Sequence, residues 1–224
     1  SKKIKLYLKE RTKNFQYIES EKSGDKFKIS LLKYKNFDYI FSFRSFFILK
    51  KELLKKCSIM AINFHPGPPE YRGVGCVNYA FFDNVKSYGC TAHRINEKID
   101  NGSIIDVRRF RLDKKETIDS CLKKTHNISY KQSIMIFKSI LNKENFLNES
   151  IKKNKSIKWS SKIKNKKDLE KFYQINLNLS KSDILRKIKS TYTKKFKPYI
   201  IYNKKRLYLD HLNDIKIKFK EKLK

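Results

Sequence analysis

The sequence predicts an α/β fold, and three observations carry this prediction. Apolar runs at residues 37–43 and 59–64 are typical of short β-strands. The stretch at 50–56 between them has the pattern of a short helix. Apolar residues form 39% of the 224 residues, which is enough to build a hydrophobic core. A strand, a helix and a strand in this order predict a β-α-β unit, the building block of α/β proteins.

The remaining elements follow from periodicity and from turn residues. Strands are predicted at 3–8, 90–95 and 104–110, and helices at 78–82, 118–142 and 182–189. Asp183 lies at the start of the last helix and is predicted to help cap it. Residues 198–201 and 206–209 predict two short strands around Asn203-Lys204-Lys205, which favours a hairpin. Residues 10–35 are polar and show only a weak helical pattern.

Composition divides the chain into three predicted parts. They are a core at 1–147, a linker at 148–167 and a small C-terminal module of a helix and a hairpin at 168–224. The linker is polar and basic, with eight lysines and no acidic residue between positions 152 and 167. It also contains Trp159, the single tryptophan of the chain. The predicted architecture is therefore an α/β core followed by a small β-rich module.

The net charge of +32 has two explanations that the composition leaves open. Lysine and arginine total 54 against 22 acidic residues, and only 9 of the 54 are arginines. Such a balance suggests nucleic acid or an anionic membrane surface as a partner, or else a drift towards lysine throughout the chain. Between positions 57 and 110 the only lysines are Lys86 and Lys98. We therefore expect the functional centre in that window, which escaped the excess.

Several classes of protein are excluded by simple features of the sequence. No run of about 18 apolar residues occurs, so a membrane-spanning helix is not expected. The first residues contain lysines but no apolar stretch that would indicate a signal peptide. The four cysteines at positions 57, 76, 90 and 121 are far apart and include no CxxC pair. They predict reduced, mostly buried thiols, a cytoplasmic protein and no metal site.

Residues that could carry chemistry lie in the window that is poor in lysine. Five of the six glycines lie between positions 67 and 102, and three of the four prolines at 66, 68 and 69. Asn63 and His65 are two residues apart at the end of a predicted strand, so both side chains should project from one face. Asp100 lies on a glycine turn further along the chain.

An amide, an imidazole and a carboxylate are a set suited to acyl transfer. The amide of Asn63 can donate to a developing oxyanion, the imidazole of His65 can move a proton, and Asp100 can set its charge state. The alternative on composition alone is that all three are ordinary loop and turn residues, with no role in catalysis.

Four elements of the window resemble a known enzyme family. They are Asn63-Phe64-His65-Pro66, Tyr71-Arg72-Gly73, Tyr88-Gly89-Cys90-Thr91-Ala92-His93 and Ile99-Asp100-Asn101-Gly102-Ser103-Ile104-Ile105. In order and spacing they are similar to the formyltransferases that use N10-formyltetrahydrofolate. This family includes the glycinamide ribonucleotide, methionyl-tRNA and nucleotide-sugar formyltransferases. The resemblance is firm over 37–110 and weaker over 183–209, and it implies a Rossmann-like formyltransferase core with a β-rich appendage.

The resemblance also implies roles for the three polar residues. Asn63 would hydrogen-bond the formyl oxygen as it becomes an oxyanion, and His65 would stabilise that oxygen and assist proton movement. Asp100 would pair with His65, stabilise its protonated form, and take the proton of the attacking amine through a water. His93, His126 and His211 match no position of the motif and are expected to be structural or exposed.

Binding residues are implied in the same way. A slot between 43–49 and 96–100 would hold the folate co-substrate. Its apolar walls would be Phe46, Phe47, Ile48, Leu49 and Ile99, although ordinary core packing is an equal explanation for the phenylalanines. Tyr71 and Arg72 lie where the family's acceptor loop is, and Arg72 would either meet a phosphate or brace that loop. No metal is implied.

The acceptor of the formyl group is left with alternatives. The residues after the linker are fewer than a tRNA-binding barrel needs, which favours a nucleotide-linked amino sugar, whereas the +32 charge favours tRNA. Another small amine is the third alternative. The family usually has a longer segment before its Asn-x-His, so the first β-α-β unit is either shortened here or begins outside this chain. An inactive remnant, or a basic RNA-binding protein on the same scaffold, is a further alternative. The resemblance also suggests a homodimer.

Overall fold

A parallel pair of strands forms the part of the fold that leads to the candidate site. The computed structural model describes residues 2–22 and 25–209. Strands β1 (Phe37–Phe43) and β2 (Cys57–His65) are parallel, and the short helix α2 (Lys51–Leu54) lies between them in the chain. Their register places Ser42 beside Asn63. The predicted β-α-β unit is confirmed.

Two further strands complete a four-stranded sheet. Strand β4 (Ser87–Arg94) runs antiparallel to β2, and β5 (Ile104–Arg111) is hydrogen-bonded to β4. The order is β1-β2-β4-β5, with β2 in the interior of the sheet. The strands predicted at 90–95 and 104–110 are thus confirmed, although β4 begins three residues earlier and ends one residue earlier than predicted, and β5 is one residue longer. The α/β class predicted for the chain is confirmed as well.

The core of this sheet is formed by one face of β2 and the long helix α4 (Ile118–Leu141). Ile62 and Phe64 point to this side, and Phe64 makes an edge-to-face contact with Phe137 of α4 at a centroid distance of 6.0 Å. Each fully buried side chain of this kind contributes about 1.5–3 kcal/mol to folding. Because side chains alternate along a strand, Asn63 and His65 are left on the opposite face.

The first element is a helix where a strand is predicted. Helix α1 (Lys2–Lys9) covers residues 3–8, so that prediction is wrong. Ile4 is buried in the core cluster, and Tyr7 and Leu8 pack against the same cluster, whereas Leu6 is 59% exposed. Ile4, Tyr7 and Leu8 are three and four residues apart and so form one face of a helix. Burial of this face outweighs the alternation of lysine and apolar residues, which favours a strand.

Little regular structure occurs between α1 and β1. Within residues 10–22 and 25–36 the structure contains a single-turn 3-10 helix at Ile29–Leu31 and no strand. The weak helical pattern of 10–35 is therefore largely unrealised.

The segment predicted as a linker contains folded elements. Helix α5 (Phe146–Lys153) begins just before it, and Leu147 of this helix is buried in the core cluster around Ile62. Strand β6 (Ile163–Lys164) and the start of helix α6 (Lys166–Phe172) lie near its end. The lysines of the segment therefore belong largely to the exposed sides of packed elements. The division at 147 and 167 stays a prediction.

Two compact units can be distinguished along the chain. The first comprises the described residues up to 70, 89–109 and 125–160, and the second comprises 71–88, 110–124 and the described residues from 161 onward. The strands and α4 described above lie mainly in the first unit, together with Asn63, His65 and Asp100.

The second unit is built from short strands and helices. Strand β3 (Arg72–Gly73) pairs in parallel with β6, and helix α3 (Cys76–Phe82) supplies much of one apolar cluster. Helix α7 (Lys181–Lys189) begins after Ser180, whose hydroxyl accepts the backbone N–H of Asp183. Ser180 is therefore the cap, and Asp183 lies in the first turn, where a carboxylate suits the helix dipole.

The predicted hairpin lies in the second unit and is confirmed. Strands β7 (Tyr199–Tyr202) and β8 (Lys205–Tyr208) are antiparallel. Asn203 and Lys204 form the two-residue turn, with φ of 47° and 61°. Positive φ at both positions matches the twist of the two strands.

The four cysteines are free thiols, as expected from their spacing. Three of them are buried, and burial raises the pKa of Cys90 to about 12, so this thiol stays protonated at neutral pH. Among the helices of the described residues, none has the length and apolar character needed to cross a membrane.

Replacing His126 with Gln is expected to flatten the acid side of the stability curve. His126 lies on α4, and burial, with a smaller effect of Arg44, lowers its pKa from 6.5 to about 4. Between these values the unfolded chain binds a proton that the folded chain refuses, so stability falls as the pH falls. Thermal unfolding of both proteins between pH 4 and pH 8 measures this. Equal pH dependence in the two proteins would contradict the assignment.

Candidate functional site

The end of β2 presents two of the predicted residues on one face of the sheet. His65 is the last residue of β2, and Asn63 lies two positions before it, while Ile62 and Phe64 face the core. His65 is only 3% exposed, whereas Asn63 is partly exposed. The period of two that the sequence predicts is therefore realised, with the amide nearer to solvent than the imidazole.

Asp100 reaches this face from the turn between β4 and β5. Its φ of 43° places it in the left-handed region, which Asp and Asn tolerate better than most residues. Its Oδ2 lies 3.3 Å from Nδ1 of His65, and the carboxylate is largely buried. The structure thus brings together the imidazole and the carboxylate that the sequence predicts as a pair.

A second imidazole lies in the same cluster. The antiparallel register sets His93 of β4 directly beside Asn63, and its Nε2 is 3.1 Å from Nδ2 of Asn63. The same Nε2 is 3.5 Å from Oδ1 of Asp100. His93 lies outside the site that the sequence predicts, because its place in the structure depends on strand pairing. The feature of the sequence that could have indicated His93 is its position at the end of the motif element that begins at Tyr88.

The hydrogen bonds of His93 determine which nitrogen carries the proton. Its Nδ1 lies 2.9 Å from the carbonyl oxygen of Arg94, and since a carbonyl can only accept, Nδ1 must donate. In the neutral ring Nε2 is then the acceptor of an N–H of Asn63. If Nε2 were protonated, it would become a donor and could face the carboxylate of Asp100 instead of the amide of Asn63. One N–H of the Asn63 amide is thereby oriented, and the amide has a second.

Trp159 completes the cluster from the segment after α5. Its ring is edge-to-face with both imidazoles, at centroid distances of 5.8 Å to His65 and 4.9 Å to His93. Its indole N–H donates to the carbonyl oxygen of Gly102 at 2.8 Å. From the sequence, Trp159 is expected only to be part of a polar linker, and no motif assigns it a role.

The proline-rich loop after His65 is attached to the same face. The hydroxyl of Thr91, in register with His65, donates to the carbonyl oxygen of Gly67 at 2.8 Å. The backbone N–H of Ser160 donates to the carbonyl oxygen of Pro69 at 2.9 Å. Both bonds hold the loop at its ends, so the residues after His65 follow a defined path.

The residues predicted to form apolar walls differ in exposure. Phe46, Ile48 and Ile99 are 50%, 76% and 60% exposed. Phe47 and Leu49 are partly buried, and Phe47 makes an edge-to-face contact with Phe27. All five belong to the first unit. Their role in binding stays a prediction.

The two residues predicted for the acceptor loop lie in the second unit. The Tyr71 hydroxyl donates to the carboxylate of Asp83 at 2.8 Å. Arg72, in β3, is 7% exposed, so most of its side chain is enclosed by protein. A contact of either residue with the acceptor stays a prediction.

Two further predictions concern the remaining histidines and a metal site. His126 is partly buried on α4, as expected of a structural residue, and His211 lies outside the described residues. In the described parts of the chain, no group of three or more His, Cys, Asp or Glu side chains is arranged to hold a metal ion.

Comparison with curated proteins finds several relatives, and two of the three described below are named formyltransferases. The chain is 36% identical to a bifunctional polymyxin resistance protein of Wigglesworthia glossinidia brevipalpis, over 39% of this chain and 14% of that one. It is 31% identical to phosphoribosylglycinamide formyltransferase of Bacillus subtilis, over 38% and 44%. It is 28% identical to methionyl-tRNA formyltransferase of Ehrlichia chaffeensis, over 65% and 44%. The chain thus spans less than half the length of these relatives.

Solved structures with a similar fold include two N-formyltransferases. A 4-N formyltransferase of Francisella tularensis superposes with a TM-score of 0.64 at 20% identity, over 77% of this chain and 69% of that one. An N-formyltransferase of Helicobacter canadensis, in complex with folinic acid and dTDP-3-aminofucose, has a TM-score of 0.51 at 22% identity, over 75% and 59%. The Rossmann-like formyltransferase fold predicted for the chain is therefore confirmed.

A protein-family model gives the assignment itself. The model described as formyl transferase matches residues 5–137, which is more than half of the chain. The matched range contains Asn63, His65, His93 and Asp100, the four polar residues that meet at the end of β2. By this match and by its fold, the chain belongs to the formyl transferase family.

Proposed function

We propose that this protein transfers a formyl group from N10-formyltetrahydrofolate to the primary amine of a nucleotide-linked amino sugar. The observation that carries the transfer step is the buried contact of His65 with Asp100, beside the amide of Asn63 at the end of β2. The sugar acceptor is supported by the solved relative whose complex contains dTDP-3-aminofucose.

The described residues fit a folate co-substrate. Phe46, Ile48 and Ile99 expose apolar surface in the two segments that the family resemblance assigns to the folate slot. A flat heteroaromatic ring would cover such surface and gain hydrophobic free energy. The co-substrate supplies a formyl group, and transfer makes a bond from the amine nitrogen to the formyl carbon while the bond from that carbon to N10 breaks.

The amide of Asn63 is proposed to stabilise the negative charge that develops on the formyl oxygen. His93 accepts one N–H of this amide, which fixes its plane and leaves the second N–H to donate to the oxygen. A donor held in place before the reaction costs no reorganisation when charge develops. His65 is proposed to donate to the same oxygen and to assist the movement of the proton.

Asp100 is proposed to act on both charge and proton. Its two carboxylate oxygens face His65 and His93, at 3.3 Å and 3.5 Å, so it stabilises a positive charge on either ring. Through a water it would accept the proton that the amine loses, and one proton in turn reaches N10. The reaction is thus balanced, with one proton lost by the amine and one gained by the leaving nitrogen.

Charged initiator tRNA is the second candidate acceptor. The methionyl-tRNA formyltransferase of Ehrlichia chaffeensis aligns with 65% of this chain, the largest share among the three relatives described. The net charge of +32 favours a polyanionic substrate as well. The homodimer suggested by the family resemblance and the cytoplasmic location expected from the spaced cysteines remain predictions beside both candidates.

The test compares acceptors directly. The protein is incubated with N10-formyltetrahydrofolate and either a dTDP- or UDP-linked amino sugar or charged initiator tRNA, and the formylated product is measured by mass spectrometry. We expect the sugar to be formylated. Formylation of tRNA alone would replace the proposed acceptor. No transfer to any amine, together with tight and strongly salt-dependent RNA binding, would overturn the enzyme assignment.

Replacing Asn63 with Ala is expected to reduce kcat by about 100- to 1000-fold, the usual cost of removing an oxyanion donor. KM for the sugar should change much less, because the amide acts on charge that is present only in the transition state. Steady-state kinetics measures both. Replacing Asn101, an exposed amide next to Asp100, with Ala is the matched control, and an equal loss of kcat in both variants would contradict the role of Asn63.

A further inference from the structure

We infer that Trp159 is a positioning residue of the formyl-transfer site, holding the two imidazoles and the turn that carries Asp100. The inference rests on the proposed function for its meaning in catalysis, but the contacts that carry it are geometric. All of these residues belong to the first compact unit.

The first contact is with the imidazole rings. The planes of Trp159 and His65 meet at 71°, and those of Trp159 and His93 at 80°. Both arrangements are edge-to-face, the favourable orientation for aromatic pairs. One indole thus packs against both rings, which come from different strands. It limits the rotation of each ring about its side-chain bonds.

The second contact is with the turn. The indole N–H donates to the carbonyl of Gly102 at 2.8 Å, two residues after Asp100. Asp100 has a left-handed backbone conformation, which persists only where the surroundings hold it. The hydrogen bond from Trp159 is one such restraint. A single side chain therefore restrains both partners of the contact between His65 and Asp100.

Trp159 is itself held by the chain on either side. Asn154, just after α5, donates through its side-chain amide to the carbonyl oxygen of Ile105 at 2.8 Å. The backbone N–H of Ser160 donates to the carbonyl oxygen of Pro69 at 2.9 Å. The indole is thus supported from a strand of the sheet and from the loop that follows His65. Such support is what a positioning residue needs.

The kinetic test uses Trp159→Phe, which keeps an aromatic ring and removes the N–H. We expect kcat to fall by about 10-fold while KM for both substrates stays within about 2-fold, because positioning acts on the reacting geometry. Ile151→Ala is the control, since Ile151 on α5 packs on the core cluster and should mainly lower stability. Wild-type kcat in Trp159→Phe, measured on a protein with normal thermal unfolding, would overturn the inference.

The second test does not require activity, because Trp159 is the single tryptophan of the chain. A protonated imidazole in contact with an indole quenches its emission, so lowering the pH should quench the fluorescence of the wild type. The titratable groups that the structure places around the indole and its turn are His65, His93 and Asp100.

The outcomes separate this inference from the proposed function. Quenching that disappears in a His65→Asn, His93→Asn double variant supports the contacts, even if no amine is formylated by the wild type. Emission that follows the same pH curve in the wild type and in the double variant would overturn the positioning role. A wild type that formylates no acceptor would overturn the proposed function alone.

Discussion

Replacing Asp100 with Asn is expected to lower kcat by about 100- to 10,000-fold, the range for losing a catalytic proton-transfer group. The change removes the negative charge that lies 3.3 Å from His65 and 3.5 Å from His93. It also removes the acceptor for the proton of the amine. Asn is chosen because it tolerates the left-handed conformation of Asp100 almost as well as Asp does, so the turn should persist.

The control for this prediction is Glu149→Gln. Glu149 is an exposed carboxylate in the first turn of α5, outside the two segments assigned to the folate slot. The two variants change net charge equally, but only one acts on the buried imidazoles. Steady-state rates and thermal unfolding should show a loss of kcat without a loss of fold for Asp100→Asn. An Asp100→Asn enzyme with the kcat of the control would show that the carboxylate has no part in transfer.

Replacing Gly102 with Ala is expected to destabilise the protein by about 3 kcal/mol, the upper range for overpacking a closed site. A Cβ at this position would overlap the carbonyl oxygen of Arg94, a backbone atom at the end of β4. The backbone of the turn must therefore move away from the end of β4 to make room for the added methyl group. For a chain of this length the melting temperature should fall by about 6–12 °C. The same movement should weaken the hydrogen bond from Trp159 and lower kcat.

Ser103→Ala is the matched control for this stability measurement. Ser103 is the next residue and its side chain is exposed, so the change adds no atoms where the turn packs against the end of β4. Calorimetry or chemical denaturation of the two variants gives the difference in unfolding free energy. If Gly102→Ala were as stable as Ser103→Ala, the close approach of the turn to β4 would be refuted.

The sequence alone supported those features that depend on local order and alternation. Apolar patterns predicted the β-α-β unit, the strand positions of Asn63 and His65 and the long helix α4. In the structure most of the apolar side chains of these patterns are buried or partly buried. The motif elements around Asn63 and Asp100 also indicated the family, which the family model confirms over residues 5–137.

The local pattern of apolar residues gave the wrong element where it fitted both a strand and a helix, because packing in the core decided between them. Residues 3–8 fit a strand by alternation and a helix by spacing, and the core cluster selected the helix by burying Ile4. In the same way, the lysine-rich segment from 148 concealed α5, whose Leu147 packs in that cluster. Charge on the exposed face of a helix hides the buried face when only composition is considered.

The composition of the site itself was only partly a matter of sequence. The order of residues along the chain predicted Asn63, His65 and Asp100, because a recurring motif carries them. His93 and Trp159 joined them only through the register of β2 with β4 and the path of the chain after α5. Strand register and chain path result from the burial of many side chains at once. For that reason the pattern predicted the reacting groups, and the tertiary structure decided what surrounds them.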